Sequence, residues 1–493
     1  MPPTDRPVRT RVAPSPTGEP HIGNMYAALF CKAFAVQQRG SFVLRLEDTD
    51  RLRFVPAAVQ QLPDALQWLG LDPDEGPQQG GAYGPYVQTE RLPSYRQYAE
   101  ELVTRGGGYY CFCTQERLEE MRREQERRKE PPRYDRHCLH LAPEEKLRLL
   151  DAGTPYSIRL RVPDEGAVSW DDAVRGTVSF ENRFLTDQIL LRPSGYPTSH
   201  LGIPLDDYLM QISHVIRAEE WLSSVPYYIL VYRAFGWDLP VFAHLSILRN
   251  KDRSKMSKRK NPTSVMWYRQ QGFLPQALVN FLALLGWSDP AGKEVFSFQE
   301  FTEKLTLERV VTSAPIFDFT KLEWLNGVYI RAMSLDALAD AVQPFLSEPV
   351  ERADLVRMLP LVQERMKKLS EVGALTEFLR HDPDPRALPF AQAIKRQTAA
   401  DIAGALSTLT TSWEGLGQPT PEQWDTSVRG LADHLGWKVG DLFMALRVAI
   451  TGSSASPPTY EFGQVLGWPA VYRRLHAAIA ALSEPGDQPS TRP

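Results

Sequence analysis

Two remote segments of the sequence carry residue types that could together bind a triphosphate. The first is HIGN, residues 21–24, which directly follows the proline-rich run APSPTGEP. The second is residues 251–260, of which six are Lys or Arg. Ammonium groups and hydroxyls can stabilise phosphate charge. The candidate nucleotide ligands of the second segment are Lys255, Ser257, Lys258 and Arg259. The alternative interpretation of HIGN is a capped helix start, and that of the basic segment is a solvated surface loop.

The elements around the first segment would place it at the start of a helix. Residues 10–13 form a short extended run, and apolar residues from 27 to 34 recur with helical spacing. The first N–H groups of a helix have no partner and lie at its positive end, which favours anions. Gly23 has no side chain, so a phosphate or a flat ring could approach the backbone there.

Two further candidates follow predicted strands. Residues 41–46 are predicted to form a strand that ends at Glu47, and residues 212–216 form another before Arg217. Ligands of open α/β sheets bind at the carboxyl ends of the strands. A polar loop with a helix cap is the alternative for Glu47. The strand–helix–strand order, with a long insertion, predicts a Rossmann-type sheet split by a second domain.

A cysteine cluster predicts a zinc site. Cys111 and Cys113 are separated by 24 residues from Cys138, and His140 follows two residues later. Three thiolates and an imidazole can supply the four tetrahedral positions that zinc prefers. Buried free cysteines beside an incidental histidine are the alternative.

Length and composition limit the classes of protein to which this chain can belong. A chain of 493 residues suggests three to five domains, and a net charge of −4 disfavours a general nucleic-acid binder. The N-terminus lacks the apolar core of a signal peptide, and no run approaches the roughly 18 apolar residues of a membrane span. Three of the four cysteines cluster within residues 111–138, which favours a reducing compartment and a metal site over a disulfide framework.

Four motifs, RVAPSPTGEPHIG, LRLEDTDR, VIRAEEW and SKMSKR, together resemble the bacterial glutamyl-tRNA synthetases, a family of class I aminoacyl-tRNA synthetases. The resemblance covers most of residues 8–330 and continues more weakly to the C-terminus. It implies ATP-dependent attachment of L-glutamate to tRNA(Glu) through glutamyl-adenylate, with Mg²⁺ accompanying ATP and a structural Zn²⁺. A cytoplasmic monomer without membrane contact is expected.

The resemblance also implies roles for particular residues. Ser199 stands where the family usually has tyrosine, which weakens the expected glutamate pocket. Arg11 and Arg217 could instead belong to structural ion pairs. The implied set is His21, Lys255 and Lys258 for catalysis; His21, Gly23, Asn24, Leu248, Lys255, Ser257, Lys258 and Arg259 for ATP; Arg11, Ser15, Glu47, Ser199 and Arg217 for glutamate; Arg365 for the anticodon; and Cys111, Cys113, Cys138 and His140 for zinc.

The expected fold is an α/β Rossmann-type catalytic domain with a mixed α/β insertion, followed by an all-α C-terminal half. Helical periodicity is clearest at residues 335–345, 355–369 and 470–482. The predicted boundaries are 1–93 with 200–245 for the catalytic domain, 94–199 for an acceptor-binding insertion, 246–330 for a helical linker, 331–485 for a helical anticodon-binding region and 486–493 for a disordered tail.

Three other functions are compatible with parts of this pattern. One is a glutamyl transferase that acts on a modified tRNA base, which usually lacks a helical C-terminal half. Another is a class I-like nucleotidyltransferase that activates a different acid. The third is a non-catalytic tRNA-binding paralogue, which the presence of His21, Lys255 and Lys258 disfavours.

Overall fold

The computed structural model describes residues 6–256, 262–456 and 458–484. The chain divides into two compact units, unit 1 within Met1–Gln270 and Pro275–Leu325, and unit 2 within Gln271–Leu274 and Asn326–Pro493. The predicted disordered tail lies outside the described residues. Among the described helices, none has the length and apolar character needed to cross a bilayer.

All the described strands belong to unit 1. They are β1 Arg9–Val12, β2 Ser41–Leu44, β3 Gly108–Cys111, β4 Ser157–Leu160, β5 Ala167–Asp172, β6 Gly176–Glu181, β7 Ile189–Leu191, β8 His214–Ala218 and β9 Val241–Leu245. Within the described residues these strands form three sheets, with the orders β1-β2, β3-β4-β7 and β6-β5-β9-β8.

Helices occur in both units. They are α1 Ile22–Gln37, α2 Pro56–Trp68, α3 Leu92–Thr104, α4 Gln115–Arg127, α5 Pro143–Asp151, α6 Ser199–Leu209, α7 Val225–Phe235, α8 Val265–Gln270, α9 Pro275–Gly286, α10 Phe298–Lys304, α11 Phe319–Arg331, α12 Leu335–Val342, α13 Arg352–Met358, α14 Val372–Arg380, α15 Phe390–Ala393, α16 Ala399–Glu414, α17 Pro421–Leu435, α18 Val439–Thr451, α19 Thr459–Leu466 and α20 Trp468–Ser483.

Unit 1 contains two strand–helix–strand units. Strands β1 and β2 run parallel and are connected by α1, while β8 and β9 run parallel and are connected by α7. The amide of Ser213, just before β8, donates to the carbonyl of Arg9 (3.0 Å) and so joins the two pairs. The predicted insertion, residues 94–199, lies between β2 and β8. The predicted fold class is therefore confirmed.

The insertion contributes strands to two different sheets. Strands β3, β4 and β7 form an antiparallel sheet of their own, whereas the β5–β6 hairpin extends the sheet that contains β8 and β9. Asp172, at the end of β5, pairs with Phe242 of β9 in parallel register. Part of the segment expected to form a separate insertion thus forms the edge of the sheet that contains β8 and β9. Strand β5 is absent from the sequence-based predictions.

A charged, exposed helix, α4, lies between Cys113 and Cys138. Helix α4 has no buried residue, and Glu119 lies 3.6 Å from Arg123 while Glu124 lies 3.0 Å from Arg128. Oppositely charged side chains spaced four residues apart favour an exposed helix. The side chain of Thr114 caps its start by accepting from the amide of Arg117.

Unit 2 is helical within its described residues, and Trp413 stacks on Trp424 with ring centroids 4.1 Å apart in its core. The prediction of one helix over residues 355–369 is wrong. Helix α13 ends at Met358 because Pro360 lacks an N–H, and short 3₁₀ turns follow it. Arg365 lies in such a turn, exposed, and donates to the carbonyl of Ser456 (2.8 Å).

Candidate active site

One pocket in unit 1 lies where four parallel-sheet strands end. Its lining includes Ser15 after β1, Glu47 after β2, Arg217 near the end of β8 and Leu248 after β9. The start of α1 closes the same pocket with His21, Gly23 and Asn24. Ligands of open α/β sheets bind at this edge of the sheet, so this pocket is the candidate active site.

His21 is the residue that caps α1. Its Nδ1 accepts a hydrogen bond from the amide of Gly23 (3.0 Å), so the proton of the neutral ring sits on Nε2. A Cβ at position 23 would lie 3.1 Å from this Nδ1 and would crowd the imidazole. Any larger residue at position 23 would therefore have to displace the capping imidazole by a few tenths of an ångström.

The chain after the basic segment returns to the start of α1. The amide of Ile22 donates to the carbonyl of Thr263 (2.7 Å), and His21 pairs with Ser264 as an isolated antiparallel bridge. Lys255 lies on the pocket that His21 lines, and its ammonium forms an ion pair with Glu220. The two remote segments thus meet, as predicted for Lys255. The predicted ligands Ser257, Lys258 and Arg259 lie outside the described residues.

The two arginines of the pocket have different partners. Arg11 forms a bidentate pair with Asp207, through Nε–Oδ1 (3.0 Å) and Nη2–Oδ2 (3.1 Å). Arg217 is buried, and its Nη2 has no hydrogen-bond partner in the described part of the chain. Burial holds the pKa of Arg217 below its usual value, and the charge of Arg11 acts in the same direction. A bound anion would relieve both effects.

Glu47 is held in the pocket by a buried arginine. Arg45, which is fully buried, donates from Nη2 to Glu47 (3.0 Å) and from Nη1 to Asp207 (2.7 Å). Burial raises the pKa of Glu47, and Arg45 opposes that rise. Asp206 lies 3.7 Å from the Nε of Arg45 and accepts from Arg91 (2.7 Å). A network of buried ion pairs therefore holds Glu47 in place at the pocket.

Ser199 does not line this pocket. It begins α6 and faces a second cavity in unit 1, whose lining includes His200 and Tyr134. The shorter side chain at position 199 is thus placed on a different cavity from Glu47 and Arg217.

The predicted zinc ligands separate into a cluster and an outlier. The sulfur atoms of Cys111, Cys113 and Cys138 lie within 4.8 Å of one another. Arg159 donates to Cys111 Sγ (3.2 Å) and Arg117 donates to Cys113 Sγ (3.4 Å). Hydrogen bonds, with the two other cysteines first, lower the pKa of Cys111. This donor set fits a metal that prefers thiolates.

His140 is exposed and lies outside the cysteine cluster. The buried phenol of Tyr134 is 3.3 Å from Cys111 Sγ and 3.3 Å from Cys113 Sγ, and it accepts from the amide of Cys138 (3.1 Å). The sequence-based interpretation missed Tyr134. Its spacing of four residues before Cys138 is the signal that could have identified it.

Comparisons with known proteins agree with the fold and the pocket. The family described as "tRNA synthetases class I (E and Q), catalytic domain" matches residues 7–324, and "Anticodon binding domain" matches residues 337–479. The geometry of unit 1 and the first match define a class I aminoacyl-tRNA synthetase.

Relatives specify the family more closely. A glutamate–tRNA ligase of Acidothermus cellulolyticus is 45% identical over 97% of this chain and 96% of that protein. One from Thermus thermophilus is 43% identical over 96% of this chain and 100% of that protein. The crystal structure of a glutamate tRNA ligase from Elizabethkingia meningosepticum, in complex with its amino acid, superposes with a TM-score of 0.89 at 32% identity over 97% of this chain and 100% of that one. The chain belongs to the glutamate–tRNA ligase family.

Proposed function

We propose that this protein attaches L-glutamate to tRNA(Glu) at the expense of ATP, by way of glutamyl-adenylate. One observation carries the proposal: a single pocket combines the start of α1, Lys255 of the basic segment and the buried guanidinium of Arg217, whose Nη2 has no hydrogen-bond partner among the described residues. The first two suit a nucleoside triphosphate and the third suits the side-chain carboxylate of the amino acid.

Binding follows from the charges of the pocket. Glu47 offers a carboxylate to the ammonium of glutamate, while Arg217 offers a planar fork to its side-chain carboxylate. Arg11 is a weaker candidate for direct contact, because Asp207 already occupies two of its nitrogens. Glutamine would leave the Arg217 charge uncompensated, and sites that leave a buried polar group unpaired discriminate strongly.

The reaction requires positioning and charge stabilisation rather than a protein nucleophile. An α-carboxylate oxygen of glutamate attacks the α-phosphorus of ATP, the bond to the β-phosphate oxygen breaks, and pyrophosphate leaves. A hydroxyl of the terminal adenosine of tRNA then attacks the acyl carbon and AMP leaves. His21 Nε2, the amides at the start of α1 and Lys255 stabilise phosphate charge. Lys258, Ser257 and Arg259 complete the predicted set. Mg²⁺ binds through substrate phosphates.

Zinc is proposed to hold the insertion together, with Cys111, Cys113 and Cys138 as thiolate ligands. We assign the fourth position to the Tyr134 phenol rather than to His140, because the phenol already lies among the sulfur atoms. The metal supplies only a structural crosslink there, since the cluster belongs to the insertion and its residues are absent from the lining of the candidate active site.

Metal analysis of the purified protein is expected to give about one zinc per chain. Cys113→Ser should abolish binding and Tyr134→Phe should weaken it, whereas His140→Ala should retain it. Cys31→Ser is the matched control, because Cys31 is buried outside the cluster and its sulfur bonds only to backbone carbonyls in the described structure. Zinc loss in His140→Ala with full retention in Tyr134→Phe would reverse the assignment.

Acylation of tRNA(Glu) with labelled glutamate tests the proposed function. Periodate oxidation of the terminal ribose should abolish acceptance, because the ester forms on that ribose. Label that survives oxidation would instead indicate transfer to a modified base. A protein that binds tRNA(Glu) without forming any ester would be the non-catalytic paralogue.

The remaining assignments are proposals of the same kind. Arg365 is exposed in unit 2, within the segment that matches the anticodon-binding domain, and is proposed to contact the anticodon. The domain boundaries predicted from the sequence are retained, with the hairpin β5–β6 reassigned to the catalytic sheet. We place the protein in the cytoplasm as a monomer; its four cysteines are free thiols, as a reducing compartment requires.

A further inference from the structure

Arg217 is connected to two buried residues that the proposed reaction does not use. Its Nε donates to His244 Nε2 (3.2 Å), and His244 Nδ1 lies 2.5 Å from Asp172 Oδ2. The three residues come from the adjacent strands β8, β9 and β5, and Arg217 pairs with His244 in the parallel register of β8 and β9. His244 and Asp172 are 0% and 3% exposed, so they lie behind Arg217 rather than on the pocket.

The proton positions in this chain follow from its donors. A guanidinium Nε–H can only donate, so His244 Nε2 must be the acceptor and must carry no proton. The proton of the ring then sits on Nδ1, where it donates to the Asp172 carboxylate. Burial lowers the pKa of His244, which keeps the ring neutral and able to accept. Asp172 thus selects the one tautomer that can hold Arg217.

Asp172 is itself fixed by the backbone. Its Oδ1 accepts from the amides of Val174 (3.1 Å), Arg175 (3.0 Å) and His244 (3.1 Å), which leaves Oδ2 for the imidazole. The first two amides belong to the turn of the β5–β6 hairpin. The hairpin of the insertion therefore anchors the carboxylate at a defined position beside β9.

We propose that Asp172 and His244 are positioning residues that orient the Arg217 guanidinium toward the side-chain carboxylate of the amino-acid substrate. This inference rests on the proposed function and extends it to two residues that touch no substrate. With Nε held by His244, the guanidinium of Arg217, which lines the pocket, keeps one orientation, so a substrate carboxylate would meet a charged group that is already positioned. Holding a charged group in place before binding lowers the free-energy cost of binding.

The sharpest variant is Asp172→Asn. The amide Oδ1 can keep all three backbone hydrogen bonds, while Nδ2 would donate to His244 Nδ1 and move the ring proton to Nε2. That proton would then face the Nε–H of Arg217, and the hydrogen bond would be lost. The wrong-tautomer effect of an Asp→Asn change on a buried histidine is known from serine proteases.

Pyrophosphate exchange with tRNA present measures the effect. We expect Asp172→Asn and His244→Met to raise the KM for glutamate about 10- to 100-fold, as for loss of a hydrogen bond to a charged group. The KM for ATP should stay unchanged. His244→Gln should recover part of the affinity, because its amide oxygen can reach the position of Nε2. His214→Met is the control, since His214 is another buried histidine, on β8, that packs on Phe34.

The outcomes separate this inference from the proposed function. If the wild-type protein supports exchange with glutamate and Asp172→Asn has the same KM for glutamate as the wild type, the inference is overturned while the proposed function stands. Equal increases in the KM for ATP and for glutamate, without recovery in His244→Gln, would show a merely structural role and would also overturn it. Wild-type protein inactive with glutamate would refute the proposed function, and the inference with it.

Discussion

Replacing Arg217 with glutamine is expected to lower kcat/KM for glutamate by about 100- to 1000-fold, because truncating one partner of a buried charge pair typically costs about 2–5 kcal/mol. In the described pocket lining, Arg11 is paired with Asp207 and Lys255 with Glu220, whereas Arg217 has an unpartnered Nη2. In the proposed function, the side-chain carboxylate of glutamate supplies the partner for this guanidinium. The measurement is glutamate-dependent pyrophosphate exchange with ATP and tRNA held saturating.

The control for this variant is Arg233→Gln. Arg233 is exposed on α7, in the same unit, and should leave both Michaelis constants at their wild-type values. In the Arg217 variant the KM for ATP should also be unchanged, because the residues proposed to bind phosphate lie on α1 and the basic segment. A normal glutamate KM in Arg217→Gln would mean that another group recognises the side-chain carboxylate.

Replacing Arg45 with methionine is expected to destabilise unit 1 by about 3–5 kcal/mol, the usual cost of removing one partner from a buried ion pair. Arg45 is fully buried and contacts Glu47, Asp207 and, at 3.7 Å, Asp206. Without it, these buried carboxylates would lose a shared positive charge. Urea denaturation, followed by a spectroscopic signal from unit 1, measures the loss.

Arg53→Met provides the comparison for Arg45. Arg53 pairs with Asp50, but its side chain is 75% exposed, and surface pairs contribute about 0–1 kcal/mol. A small loss of unfolding free energy in Arg53→Met and a large loss in Arg45→Met would show that the buried ion pairs around Arg45 stabilise unit 1. Equal and small effects would show that the buried carboxylates are neutralised in another way.

The sequence predicts those parts of the site in which a short motif sets both the local structure and the chemistry. HIGN predicts a helix start, and α1 begins at Ile22 within that motif, with His21 as its capping residue. Glu47 and Arg217 follow predicted strands, and both line the pocket at the ends of β2 and β8. In each case, the spacing along the chain fixes where the side chain emerges.

Contacts between distant strands could not be predicted in the same way. Asp172 and His244 are 72 positions apart, and their contact depends on β5 joining β9, a pairing that no local pattern indicates. Tyr134 was missed because phenols are rare among metal ligands, so a search for cysteine and histidine favours His140. To predict that the helix is interrupted within residues 355–369, Pro360 would have to be given more weight than the helical periodicity.

Pyrophosphate exchange with unmodified protein, ATP and tRNA(Glu), comparing glutamate with glutamine, tests the central claim most directly. The account predicts rapid exchange with glutamate and almost none with glutamine, since only glutamate neutralises Arg217 while ATP occupies the start of α1. Exchange that is equal for the two amino acids, or absent with glutamate, would contradict it.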